Sequence, residues 1–155
     1  MDEIDKKILN ILQEDSTISY QKIASKLTVG SSTIHYRIQK LIKQGIITHF
    51  SAIVNPEKIG YKNIAVIGLN VDPLKMYEIA EQLAGYKEVL SVASTTGNHD
   101  IILQVICKDG KHLWKFINDH IKTINGVDKK IHVSSFLEIY KRSHIIRLEE
   151  NGIKE

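Results

Sequence analysis

Apolar residues recur at helical spacing from the first turn of the chain. Ile4, Ile8, Leu9, Ile11 and Leu12 form one stripe, which predicts an amphipathic helix over residues 3–14. Asp15-Ser16-Thr17 interrupts the pattern. Ser19 then supplies an N-cap for a short helix over residues 20–26, burying Ile23 and Ala24 with Leu27. Thr28-Val29-Gly30 reads as a three-residue turn. Either Ser31 or Ser32 can cap a third helix running to about Gln44, with Gly45 just past its end. A short helix, a tight turn and a longer helix spell a helix-turn-helix. In the third helix Ile34, Ile38, Leu41 and Ile42 share the arc that faces a core. Ser32, Thr33, Tyr36, Gln39, Lys40 and Lys43 share the opposite arc, bordered by His35 and Arg37.

Beyond Gly45 the period changes. Residues 46–54 read as a strand, Asn55-Pro56 as a turn, and residues 57–63 as a connector. Apolar, β-branched runs at 64–71, 89–95, 100–107 and 127–137 predict strands. Helical patterns at 74–83 and 111–124 separate them, with breaks at Asp72-Pro73, Gly85, Thr96–His99, Lys108–Gly110 and Asn125-Gly126. The order β-α-β-β-α-β is the ferredoxin-like unit, an antiparallel sheet with both helices on one face. The expected fold class is thus α+β. It comprises a winged-helix-like helix-turn-helix domain over 1–45, a strand or hairpin linker over 46–62, and a ferredoxin-like domain over 63–155. Val66, Val92, Ile101 and Val105 are too apolar for all of them to face the helices. The other sheet face therefore calls for a second subunit, and the expected assembly is at least a homodimer. The tail, 138–148, either adds a strand or crosses to a partner.

The chain has 155 residues and a mass of 17.6 kDa, enough for one ordinary domain or two small ones. Cys107 is the only cysteine, so no internal disulfide forms. No apolar run approaches the roughly 18 residues that cross a bilayer, and the acidic start does not resemble a signal peptide. A cytoplasmic protein with no membrane partner is expected. The net charge is only +3, but its placement is informative. Residues 16–50 carry Lys22, Lys26, Arg37, Lys40 and Lys43 and no Asp or Glu. Such a field attracts phosphate. Double-stranded DNA is therefore the expected partner. Ser31, Ser32, Thr33, His35, Tyr36 and Gln39 are candidates to touch bases or the groove wall, and Lys22, Arg37, Lys40 and Lys43 candidates for the backbone. A solvated helix face is the competing reading of the same pattern. Seven histidines include no His-x-x-x-His pair, and neither a phosphate-binding glycine loop nor a Gly-x-Ser-x-Gly elbow is present. Neither an enzyme, a metal site nor a cofactor is expected.

Several short motifs, in order, resemble the Lrp/AsnC (leucine-responsive, feast/famine) regulators over nearly the whole chain. They are Asp2-Glu3-Ile4-Asp5-Lys6-Lys7-Ile8-Leu9, Ser32-Thr33-Ile34-His35-Tyr36-Arg37-Ile38-Gln39-Lys40-Leu41, Gln44-Gly45-Ile46-Ile47, Gly97-Asn98-His99-Asp100 and Gly126-Val127. The resemblance implies a sequence-specific transcriptional regulator and a dimer joined around the interdomain strand, often assembled into an octamer. It also implies an amino-acid effector held at the Gly-x-x-Asp turn. Gly97, Asn98, His99 and Asp100 would form that turn, with Asp100 receiving the α-ammonium. A tight hairpin explains the same residues without a ligand. Two departures stand out. Thr28-Val29-Gly30 replaces the usual Gly-Leu-Ser before the third helix. The last strand, Lys129-Lys130-Ile131-His132-Val133-Ser134-Ser135, lacks the family's Thr-x-Thr pair, leaving Ser134 or Ser135 to substitute. Two rival readings are an architectural protein that wraps DNA with little sequence preference, and a small-molecule-binding α+β protein that does not bind DNA.

Overall fold

A computed structural model of the chain describes residues 1–149. It divides into two compact units. The first comprises Met1–Ile53 together with residues 141–149, and the second Val54–Tyr140.

In the first unit, α1 (Glu3–Glu14), α2 (Tyr20–Leu27) and α3 (Ser31–Lys43) form the helix-turn-helix. Their apolar stripes meet in a core of Ile8, Leu9, Leu12, Ile23, Ala24, Ile34, Ile38 and Leu41. Local chemistry sets the ends. Asp2 and Asp5 form a reciprocal capping box at α1, and Ser19 Oγ accepts the Lys22 amide at α2. Thr28 ends α2 in the left-handed region, at φ 56°. Because the chain turns there, Gly30 becomes the N-cap of α3, so the expected Ser31 or Ser32 cap does not form. Both serines lie inside the helix and are exposed. Gly45, at φ 69°, follows the C-cap of α3. Ile42, expected in the core, is 38% exposed.

Residues 46–54 form no strand. A strand needs a partner for its backbone groups, and among the described residues none pairs with this segment. Its apolar side chains Ile46, Phe50, Ile53 and Val54 remain exposed. The tail also departs from expectation. Among the described residues it adds no strand beyond position 135, and residues 141–149 join the first unit. There Asn10 and Gln13, one turn apart on α1, each present a side-chain amide to the tail backbone. Asn10 pairs with Leu148 at 3.0 and 3.1 Å, and Gln13 with Ile146 at 2.9 and 2.8 Å.

The second unit contains β1 (Asn63–Leu69), α4 (Met76–Ala84), β2 (Val89–Ser94), β3 (Ile101–Cys107), α5 (Gly110–Phe116) and β4 (His132–Ser135). A π-helical turn, Ile117–Ile121, extends α5. The sheet order is β2-β3-β1-β4, antiparallel throughout, as in the ferredoxin-like fold. Strand alternation assigns the faces. Ala65, Ile67 and Leu69 of β1 and Ile101, Leu103, Val105 and Cys107 of β3 pack with Ile79, Leu83, Phe116 and Ile121 from the helices. Of the four residues expected to be divided between faces, Ile101 and Val105 are in this core, and Val92 packs against it. Val66 alone lies on the open face, in register with Gln104 and Ser134. Ile64, Ile102 and Ile106 supply the rest of that face's apolar character.

Among the described residues Asp5 is the buried charged side chain. Arg37 Nη1 donates to Asp5 Oδ1 at 2.8 Å and to Asp2 Oδ2 at 2.6 Å. Breaking a clamp on a buried carboxylate leaves its charge uncompensated. Arg37→Ala is expected to destabilise the first unit by about 2 kcal/mol in urea unfolding, in line with the loss of charged hydrogen bonds. The Asp5 amide and then the Arg37 guanidinium hold the Asp2 carboxyl below its ordinary value. A group depressed in the fold stabilises it above its unfolded value and loses that contribution as pH falls. Asp2→Asn should therefore flatten the stability loss below about pH 4, measured by circular dichroism melts.

Candidate nucleic-acid interface and sensing turn

The exposed arc of α3 carries Ser31, Ser32, Thr33, His35, Tyr36, Gln39, Lys40 and Lys43. Tyr36 is 68% exposed although it is a large aromatic residue. That arrangement follows from the core arc: with Ile34, Ile38 and Leu41 buried, these residues have no side but the outer one. His35 stacks obliquely on Tyr20 of α2, with centroids 5.6 Å apart. Lys22 is exposed on α2. Gly30 makes no side-chain cap, so the first amides of α3 are free of a side-chain acceptor. Arg37 is the exception among the expected DNA contacts. It is held by Asp2 and Asp5, and the structure assigns it to the domain's own clamp. The sequence could not show this, because both acids lie outside the acid-free stretch.

The turn from Thr95 to Asp100 joins β2 to β3. The Thr95 amide donates to the Asp100 carbonyl at 2.9 Å, and Thr95 Oγ1 donates to the His99 carbonyl. Asp100 fastens the turn to the end of β1. Its amide donates to the Leu69 carbonyl at 3.0 Å, and its Oδ2 accepts the Val71 amide at 2.9 Å. Gly97 is outside the left-handed region, so the turn does not need glycine there for its backbone. A Cβ on Gly97 would meet nothing within 4 Å, so packing does not demand a glycine either. Asn98 is exposed beside it.

His99 folds over the open face of the sheet. Its ring lies on Gly68, where a Cβ would come within 2.3 Å of His99 Cδ2. Gly68 pairs with His132 across β1 and β4, and His132 Nδ1 lies 3.2 Å from His99 Nε2. The two candidate serines part company. Ser134 is in register with Val66, on the same face as His132, whereas Ser135 lies on the other face and its Oγ donates to Asn63 Oδ1 at 3.3 Å. Ser135 is therefore not brought to the turn. The same-face pair in β4 is His132 and Ser134. Sequence reasoning passed over His132 and Gly68 as site residues. A glycine inside an otherwise apolar strand was the available signal, since it often marks close approach.

Cys107 faces the helix-side core, and burial, reinforced by Glu88 and Asp109, pushes its thiol up to about 11. At neutral pH it is a protonated packing residue. A cleft of about 230 Å³ beside α5, bordered by Lys87, Lys108 and Lys115, is formed by none of Gly97–Asp100. Among the described residues no helix is long and apolar enough to cross a membrane.

A helix-turn-helix with an acid-free outer face, followed in the same chain by a ferredoxin-like sheet with an open, ligand-accessible turn, defines a DNA-binding regulator with a sensing domain. Comparison with known proteins finds the same two kinds of domain in the same order. Residues 1–48 match the winged helix-turn-helix DNA-binding family, and residues 64–146 match the Lrp/AsnC ligand binding domain. The chain is 36% identical to HTH-type transcriptional regulator FL11 of Pyrococcus furiosus over 143 residues, covering 92% of this chain and 93% of FL11. It is 45% identical over 127 residues to an uncharacterized HTH-type transcriptional regulator of the same organism, covering 82% and 86% of the two chains. The structure resembles Escherichia coli AsnC with a TM-score of 0.88 at 26% identity, covering 94% of this chain and 97% of AsnC. A Neisseria meningitidis transcriptional regulator, solved as its complex with L-methionine, also superposes with a TM-score of 0.88, at 25% identity and 97% coverage of both chains. The chain belongs to the Lrp/AsnC family and is a transcriptional regulator.

Gly68→Ala tests how the turn is seated. The added methyl group must displace the His99 ring, so the His99–His132 contact is expected to be lost while the sheet persists. Histidine ring chemical shifts, compared with those of the parent chain, read this directly.

Proposed function

We infer that this regulator reads a specific DNA sequence through α3, acts as a homodimer or a larger assembly of dimers, and responds to an amino acid at the Gly97–Asp100 turn. The exposed, acid-free arc of α3 carries the reading. Ser32, Thr33 and Tyr36 stand at the N-terminal part of the helix, the end that enters the major groove in helix-turn-helix proteins. Gln39 is one turn deeper and suits adenine. Lys22, Lys40 and Lys43 surround these residues with charge suited to phosphates, which position the domain without specifying sequence.

Two observations support the dimer. Residues 46–54 expose Ile46, Phe50, Ile53 and Val54 and have no strand partner among the described residues, and β4 is exposed along its length. A second copy would complete both. At the turn, Gly97 leaves backbone open where neither conformation nor packing requires glycine. Asp100 uses Oδ2 for the Val71 amide, so the remaining oxygen can accept an α-ammonium group. The L-methionine bound by the Neisseria protein makes that amino acid a reasonable first ligand.

Fluorescence anisotropy should be run with DNA upstream of the protein's own gene and with a shuffled duplex, at several salt concentrations. A steep salt slope and a preference of about a thousandfold or more are expected. Tyr36→Ala should erode the preference by about 1–3 kcal/mol, and Lys40→Ala should weaken all sequences alike and lower the salt slope by about 1. Equal, uniform losses from both variants would instead favour an architectural DNA-wrapping protein. Calorimetry with a panel of amino acids tests the turn. Asp100→Asn keeps an oxygen for the Val71 amide but removes the charge, so affinity should fall about tenfold to a hundredfold. If the parent chain binds none of the panel, the amino-acid reading is wrong.

A further inference from the structure

His99 and His132 are 33 residues apart in sequence and adjacent on the open face of the sheet. Their ring centroids are 4.8 Å apart, their planes meet at 79°, and His99 Nε2 lies 3.2 Å from His132 Nδ1. We propose that these two imidazoles form a binding site for a first-row divalent transition metal of the Zn2+, Ni2+ or Cu2+ class.

The nitrogen separation is the first argument. Zinc–nitrogen bonds of about 2.0–2.1 Å in a tetrahedral shell place neighbouring nitrogens about 3.3 Å apart. The observed spacing matches that value, and imidazole selects this class of ion over Mg2+ or Ca2+. The seat is the second argument. Gly68 lies beneath the His99 ring, and the register places His132 directly across from Gly68. Both rings are thus held by the sheet rather than by a loose loop, which limits the ordering that binding requires. Accessibility is the third. In the single chain His132 is exposed and His99 half-buried, so an ion reaches both nitrogens without opening the core.

Among the described residues no group of three metal-binding side chains assembles, so the pair leaves coordination positions open. That is the pattern of an exchangeable site, in contrast to the four protein ligands of a closed structural site. The site shares His99 with the Gly97–Asp100 turn but does not rest on the amino-acid reading, because the ion is bound with no amino acid present. A simple His–His hydrogen bond, using the same two nitrogens, is the rival account.

The test is a calorimetric titration of the full, chelator-stripped chain with NiCl2 and with ZnCl2, without amino acids. One ion per chain is expected. His132→Asn should lose about tenfold or more in affinity, since even outer-shell changes at metal sites cost that much. His132 is exposed on an edge strand, so this variant keeps its fold, which a circular dichroism melt verifies. Gly68→Ala retains both histidines but displaces His99, and should weaken binding comparably. His112→Asn, which alters a separate histidine paired with Asp109 at 2.8 Å, should leave the titration unchanged. A second readout needs no variant: substoichiometric Cu2+ should broaden the His99 and His132 ring resonances before those of the other five histidines. Equal affinity in the parent chain and His132→Asn, or broadening centred on other histidines, overturns the site and leaves the hydrogen bond. Failure of the separate amino-acid titration bears on the effector reading alone.

Discussion

The absence of a side chain at position 68 sets how closely the sensing turn approaches the sheet. β1 is a central strand, with neighbours on both edges and Ala65, Ile67 and Leu69 committed to the helix-side core. Glycine within a strand is intrinsically unfavourable by roughly 0.5–1 kcal/mol. Here it admits the His99 ring against the backbone. The end of β1 holds the same turn twice more, through the Leu69 carbonyl and the Val71 amide. A turn joined to a buried strand at three points is a preorganised surface, where the sequence alone reads as a tight hairpin. That is the property required of a site whose polar groups must already be in place when a ligand arrives.

Charge in the DNA-binding unit shows why a run of sequence is an incomplete guide to a field. Residues 16–50 contain no acid, yet α1 brings Asp2 and Asp5 against Arg37 in space. The guanidinium is thereby neutralised locally and fixed as a strut between α1 and the recognition helix. Lys22, Lys26, Lys40 and Lys43 are left to generate the positive field. This division suits the two tasks. A planar, permanently charged arginine suits a buried carboxylate, while flexible lysines suit phosphates, whose positions vary along a duplex.

The legibility of each element in the sequence tracks how local its determinants are. The three N-terminal helices were legible because period, caps and the Gly45 stop all lie within a few residues of one another. The α+β order was legible for a similar reason, since each strand is bounded by its own turn chemistry. Residues 46–54 were not, because a strand exists only when something pairs with it. The same β-prone residues have no strand partner among the described residues of the single chain. Ser134 and Ser135 were offered as equivalents, but strand alternation separates adjacent residues onto opposite faces, and only pairing with β1 fixes which is which. His99 and His132 were invisible as a pair for the same reason. Their meeting depends on the Gly68 register, and no spacing rule along one chain encodes a cross-strand register.

The return of the tail completes this picture. The chain leaves the DNA-binding unit after Ile53, builds the sensing unit from Val54 to Tyr140, and then re-enters the DNA-binding unit. The re-entry is secured by a specific device. Asn10 and Gln13 each satisfy both the amide and the carbonyl of one tail residue, as a neighbouring strand would. A ligand at the sensing turn can alter DNA affinity only by binding two states of the whole chain unequally. The amide grip on residues 146 and 148 belongs to the helix-turn-helix unit itself, where α1 holds the returning tail through four hydrogen bonds.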